Sequence, residues 1–220
     1  MTDILAFDAY GTLFDVHAAI ARHSAAVGPN AARLSELWRS KQLEYSWTLT
    51  LADRYRDFET LTSEALDFAL ARFPDVDRAL KPRLLDAYMT LDPFPDAPGC
   101  LSDLKARGAS IAILSNGSPR MLDAAVSGAG FDTILDAVLS VDALRMFKPR
   151  AEVYRMVTDR FSCAPADVVF VSSNRWDVMG AASFGFRTIW INRAGNPDEY
   201  ATPAPNAVIG DLKSLPALKV

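Results

Sequence analysis

The sequence predicts an α/β fold: a Rossmann-like parallel sheet core flanked by helices, with a helical cap inserted after the first strand. Three observations carry the prediction. Short continuous apolar runs pass directly into polar or glycine turns, as strands buried on both faces do. From Ser110 onward such runs alternate with helical patterns, the signature of a parallel sheet covered by helices. Between the first run and the rest lies a long span with helical periodicity only.

The first strand is Ile4-Leu5-Ala6-Phe7, which runs into Asp8 and then the turn Gly11-Thr12. From Asp15 to about Leu91 the pattern predicts four or five helices. Leu34, Leu37, Trp38, Lys41 and Tyr45 share one helix face, and Leu61, Ala65, Phe68, Ala69 and Phe73 share another. The linker Leu91-Asp92-Pro93-Phe94-Pro95-Asp96-Ala97-Pro98 stops the last of these helices and places Pro98 in the first turn of the next. Strands are then expected at Ser110–Leu114, Ala137–Val141, Val168–Val171 and Thr188–Ile191, with a short last one at Ala207-Val208-Ile209. Helices follow Pro119, Ala151 and Asp177, and 142–150 and 195–205 read as loops. The expected division is a core of residues 1–14 and 95–220 and a cap of residues 15–94.

Composition excludes several classes. Half of the 220 residues are hydrophobic and the formal net charge is -4, so nothing marks a nucleic-acid surface. No apolar run reaches the roughly 18 to 20 residues of a membrane span. The strand pattern starts at Ile4, which predicts no signal peptide, and Cys100 and Cys163 read as free buried thiols of a cytoplasmic protein.

The residues just past the strands carry the chemistry. The first strand gives Asp8 and Thr12, the second Ser115 and Asn116, the third Lys148, the fourth Ser172, Asn174 and Asp177. In a parallel sheet these ends share one edge, where ligands bind. Each alone reads as a turn or a solvated loop. Together they place a carboxylate, hydroxyls, an ammonium and a second carboxylate around one crevice, a set suited to nucleophilic chemistry on an anionic substrate.

This order of motifs resembles the haloacid dehalogenase superfamily, and over almost the whole chain. Most members are magnesium phosphatases, with a second Asp two residues after the nucleophile and several acids after the fourth strand. Here the first position is Tyr10, and Ser172-Ser173-Asn174-Arg175-Trp176-Asp177 supplies one carboxylate. Those departures resemble the L-2-haloacid dehalogenases, as do the blocks Phe7-Asp8-Ala9-Tyr10-Gly11-Thr12, Trp38-Arg39-Ser40-Lys41-Gln42-Leu43-Glu44-Tyr45, Leu114-Ser115-Asn116-Gly117, Phe147-Lys148-Pro149 and Val171-Ser172-Ser173-Asn174. Arg150 and Arg175 depart from that branch and could alter the Lys148 loop and the rim of the cleft.

The resemblance implies hydrolysis of short L-2-haloacids, such as chloroacetate or 2-chloropropionate, to D-2-hydroxyacids. The route is an ester on Asp8, with no metal and no cofactor. It implies no nucleic-acid or membrane partner, and a homodimer. Lys148 would pair with Asp8, Arg39 would take the leaving halide with help from Asn116, and Ser115 would bind the substrate carboxylate. Thr12 and Ser172 would hold the Asp8 carboxylate, and Tyr154 would reach the same cluster. Asn174 and Asp177 would position water, which either Asp177 or Lys148 could activate. Tyr10, Leu43, Phe58 and Trp176 would line an apolar pocket. A phosphatase or phosphotransferase on the same fold is the alternative.

Overall fold

A computed structural model describes residues 4–218. Its sheet has six parallel strands in the order β3-β2-β1-β4-β5-β6. They are β1 Ile4–Phe7, β2 Ser110–Ser115, β3 Ala137–Ser140, β4 Val168–Ser172, β5 Arg187–Ile191 and β6 Ala207–Ile209. β1 lies in the middle, with Phe7 level with Ile113 of β2 and Val171 of β4. Phe7, Ile113 and Val171 are fully buried, as the continuous apolar runs require. That register brings the C-terminal ends of β1, β2 and β4 to one line.

Five helices separate β1 from the linker: α1 Ala18–Ala21, α2 Ser24–Val27, α3 Ala31–Leu51, α4 Phe58–Arg72 and α5 Lys81–Met89. Four more accompany the sheet: α6 Ala97–Ala106, α7 Pro119–Gly128, α8 Ala151–Phe161 and α9 Arg175–Phe184. α7 starts where Ser118 caps the Met121 amide and Pro119 takes the first helical position. The two crossings between sheet and helices run side by side. Phe14 pairs with Pro93, the Asp15 amide donates to Asp92 O (3.1 Å), and the Phe94 amide donates to Leu13 O (2.8 Å).

Local details differ from the sequence reading. The segment 142–150 is not all loop, since a 3-10 turn covers Val141–Leu144. The buried side of α3 runs through Leu34, Trp38, Gln42 and Ser46, while Lys41 and Tyr45 are half-buried. Two polar side chains on that buried side hid it from an apolar-pattern reading. Gln42 Nε2 donates to Thr62 Oγ1 (2.9 Å), and Trp38 Nε1 donates to Thr62 O (2.8 Å). Phe68 lies exposed rather than buried, under the Lys41 ammonium. Cys100 is buried as expected, but Cys163 is only half-buried.

Candidate active site

The site grows from the top of β1. The Asp8 amide continues the ladder to Val171 O (3.0 Å), so strand pairing fixes the backbone of Asp8 itself. Gly11 then turns the chain at φ +91°, a left-handed value that a side chain resists, and its amide donates to Phe14 O (2.7 Å). The turn folds Thr12 back so that its hydroxyl donates to Asp8 Oδ2 (3.0 Å). Asn174 Nδ2, from the loop after β4, donates to the same oxygen (2.7 Å). Lys148 Nζ donates to Asp8 Oδ1 (2.9 Å) and to Asp177 Oδ2 (2.6 Å), and Tyr154 Oη donates to Asp177 Oδ1 (2.7 Å). Asp8, Thr12, Lys148, Tyr154 and Asp177 are all buried.

These charges are taken out of water together, which is costly unless each is paired and hydrogen-bonded. Burial alone would lower the Lys148 pKa, but the carboxylates of Asp177 and Asp8 outweigh it and hold the ammonium above its usual range. Burial pushes Asp177 up to about 6, against the pull of Lys148. Burial, and then the Asp177 charge, raise Tyr154 well above a free phenol, so it stays a donor.

Arg39 reaches this cluster from α3. Its Nη2 donates to Tyr10 O (3.2 Å) and Asn174 Oδ1 (3.4 Å). The Tyr10 ring stacks on Tyr88 (5.7 Å) and lies 6.1 Å from Phe58, forming an aromatic wall beside Asp8. A side chain at Gly117 would strike that ring, so the turn carrying Ser115 and Asn116 packs directly on it. Leu43 is half-buried on α3, one turn before Trp47, whose ring meets Trp176 edge-on at 5.3 Å.

Several expected contacts are replaced by others. Ser172 does not bind Asp8; its hydroxyl accepts the Asn174 amide (3.0 Å) and so shapes the loop that aims Asn174. Asn116 is turned toward Lys148, whose amide donates to Asn116 Oδ1 (3.0 Å). Ser115 Oγ accepts the Gly117 amide (3.1 Å), which leaves its own proton to donate. Arg175 is not on the rim: it is buried, paired with Asp198 (2.7 Å), and tethers Tyr200 O and Pro203 O of the following loop. Arg150 pairs with Glu152.

Sequence reasoning missed two supports. The Ser173 amide donates to Thr12 Oγ1 (2.9 Å), which orients the Thr12 proton toward Asp8. Arg193, just past β5, donates to Thr12 O (3.3 Å), pairs with Asp96 (2.6 Å) and covers the Phe94 ring. Reading the residues past the fifth strand, as for the other four, would have found Arg193.

The donor set does not suit a divalent cation. Lys148 already bridges the two carboxylates, and Tyr10 O, at the position where a second acid would stand, is taken by Arg39 and Asn174. Among the described residues no cluster of three His, Cys, Asp or Glu is placed to hold a metal, and no helix is long and apolar enough to cross a membrane.

A buried carboxylate at a parallel sheet edge, fixed by an ammonium and two neutral donors with a guanidinium nearby, has the make-up of a site for nucleophilic chemistry. Comparison with known proteins narrows the class. A model of haloacid dehalogenase-like hydrolases matches residues 2–185. The chain is 49% identical over 213 residues to (S)-2-haloacid dehalogenase 1 of Pseudomonas sp. (strain CBS-3), covering 96% of this chain and 94% of that one. It is 52% identical over 210 residues to (S)-2-haloacid dehalogenase 4A of Burkholderia cepacia, covering 95% and 91%. Among solved structures it resembles L-2-haloacid dehalogenase from Xanthobacter autotrophicus with chloropropionic acid covalently bound (TM-score 0.91, 37% identity, 99% and 98% covered). The chain belongs to the haloacid dehalogenase-like hydrolases, in their 2-haloacid dehalogenase branch.

Proposed function

We propose that the protein hydrolyses short L-2-haloacids to D-2-hydroxyacids and halide, with Asp8 as the attacking group. The observation that carries the reading is the pairing at Asp8. Oδ2 accepts two hydrogen bonds and Oδ1 one, so the less encumbered lone pair is on Oδ1 beside Lys148. Asp8 displaces halide from the α-carbon with inversion, leaving an aspartyl ester. Water then attacks the Asp8 carbonyl carbon, releasing the hydroxyacid and restoring the carboxylate.

The obstacle is like charge: a carboxylate nucleophile meets a carboxylate substrate as a halide anion departs. Two unit charges 4 Å apart repel by about 4 kcal/mol at an effective dielectric of 20. Lys148 offsets this at the nucleophile and Arg39 at the leaving group, where its planar donors suit an anion. Ser115 and the amides of its turn receive the substrate carboxylate. Asn174 holds Asp8 and Arg39 in one frame and lies beside the ester for the water step. Asp177 faces Lys148 and Tyr154, so it acts on water through the charge of Lys148. Tyr10, Leu43, Phe58 and Trp176 give the pocket its apolar walls. The division into a core of 1–14 and 95–220 and a cap of 15–94, and a cytoplasmic homodimer, belong to the same proposal.

The deciding experiment is halide release from L-2-chloropropionate in excess chelator. Stoichiometric halide and D-lactate at an undiminished rate support the proposal. Activity that needs added magnesium, or phosphate release in place of halide, would favour the phosphatase reading.

A further inference from the structure

Beside the Lys148 loop lies a cavity of about 690 Å³ that the chemistry above leaves without a task. Its lining includes Arg54, Arg56, Arg145 and Arg150 against a single carboxylate, Asp53. This is a local reversal in a chain whose net charge is -4. Arg56 is held by Glu64 and Arg150 by Glu152. Neither Arg54 nor Arg145 has a carboxylate partner among the described residues. The nearby Asp142 accepts the Tyr55 hydroxyl (2.6 Å). Arg145 sits at φ 53°, a left-handed conformation that costs a side-chain-bearing residue energy, and its guanidinium lies 5.3 Å over the Tyr55 ring.

The cavity adjoins the catalytic pocket through one wall. The Phe147 amide, next to Lys148, donates to Thr50 Oγ1 of the lining (3.1 Å). The rings of Tyr55 and Phe147 (5.0 Å), Phe147 and Phe58 (6.0 Å), and Phe58 and Tyr10 (6.1 Å) then form a continuous series from the cavity to the residue beside Asp8. Resting on the dehalogenase reading, the reaction's organic substrate and both its products, haloacid, hydroxyacid and halide, are anions.

We propose that this cavity is a second anion site, a vestibule in which Arg54 and Arg145 hold the carboxylate of the haloacid before it reaches Asp8. A cleft lined by one sign of charge concentrates ions of the other sign at its mouth, most strongly at low ionic strength. The site raises the local substrate concentration and makes no contact with the reacting carbon.

The test is the double variant Arg54→Gln/Arg145→Gln, with Arg54→Lys/Arg145→Lys retaining charge. Propionate, an unreactive carboxylate of substrate size, is the binding probe by equilibrium dialysis at low salt. Wild type is expected to bind two propionates per chain and the Gln variant one. For L-2-chloropropionate, kcat should stay within about twofold while kcat/KM falls about threefold to tenfold at low salt. The gap should close at high salt, and the Lys variant should behave as wild type. Equal propionate stoichiometry, or an unchanged salt dependence of kcat/KM in a Gln variant that folds normally, would overturn the vestibule. If wild type turns over no haloacid but still loses one propionate site in the Gln variant, the dehalogenase reading fails and the anion site stands.

Discussion

The sheet edge and the helical segment α1–α5 both contribute a cation to the site, but they hold it differently. Lys148 is fully buried, bonds two carboxylates at 2.9 and 2.6 Å and has an aromatic ring at 5.3 Å. Arg39 is half-buried and bonds one carbonyl and one amide oxygen at 3.2 and 3.4 Å. The difference matches the proposed task of each. A nucleophile gains most from being aimed before substrate arrives. A halide acceptor needs donors with spare capacity, because its ligand exists only after the bond breaks.

The comparison is broken most severely at Asp8. Asp8→Asn is expected to lower kcat by at least about a thousandfold and to lower stability as well, since an amide offers one acceptor oxygen where three donors converge and takes one carboxylate from Lys148. A single turnover in heavy-oxygen water should label the peptide containing Asp8 and leave the first product unlabelled. Label in that product and none in the peptide would make Asp8 a base that activates water.

Lys148 comes next. Lys148→Met keeps the stem but leaves Asp8 and Asp177 buried without their cation. Breaking such a cluster typically costs about 3–5 kcal/mol, so both kcat and the thermal midpoint should fall markedly. A variant as stable as wild type would show that the cluster is less closed to water than its burial indicates.

Arg39→Lys tests the other member of the comparison. An ammonium lacks the planar fork, so kcat should fall by at least about tenfold, or 1.4 kcal/mol of transition-state stabilisation. Stability should hardly change, because the bonds lost are long and end on neutral acceptors. Wild-type kinetics for Arg39→Ala would remove Arg39 from catalysis.

A smaller effect is expected with pH. With Asp177 titrating at about 6, acidification through that value neutralises one partner of Lys148 and turns the whole ammonium toward Asp8, which weakens the nucleophile. Activity should decline below about pH 6. Stability should move the other way on account of this group. Its folded pKa lies above the unfolded 3.9, so its stabilising contribution is fully present below that value and lost as pH rises through 6. Rate profiles and melting curves between pH 5 and 8 would separate the two, and Asp177→Asn should flatten both contributions.

What could be read from the sequence followed the same divide. The strand ends were legible because a parallel sheet converts chain order into spatial convergence, so Asp8, Thr12, Lys148, Asn174 and Asp177 could be gathered without a structure. Hydroxyl direction was not legible: Thr12 turns to Asp8 because Gly11 reverses the chain, whereas Ser172 turns to its own loop amide. The helical segment was harder still. Gln42 faces inward only because Thr62 on another helix receives it, a pairing that no periodicity encodes.

That pairing supplies the mildest and most discriminating perturbation. Thr62→Val preserves the shape and removes the hydroxyl that accepts from Gln42 Nε2 at 2.9 Å. The Trp38 indole keeps its bond, which ends on the Thr62 backbone carbonyl. A buried amide donor left unpaired costs about 1–3 kcal/mol, or several degrees in thermal midpoint for a chain of this size. If the helical segment delivers Arg39 as an adjustable donor, this internal loss should lower stability and leave kcat within about twofold. Gln42 also accepts from Tyr88 (3.4 Å), whose ring stacks on Tyr10. The same substitution therefore tests whether strain passes along that route to the carbonyl that holds Arg39. A tenfold fall in kcat with only a small shift in melting would mean that it does, and that the helical side is as rigidly set as the sheet edge.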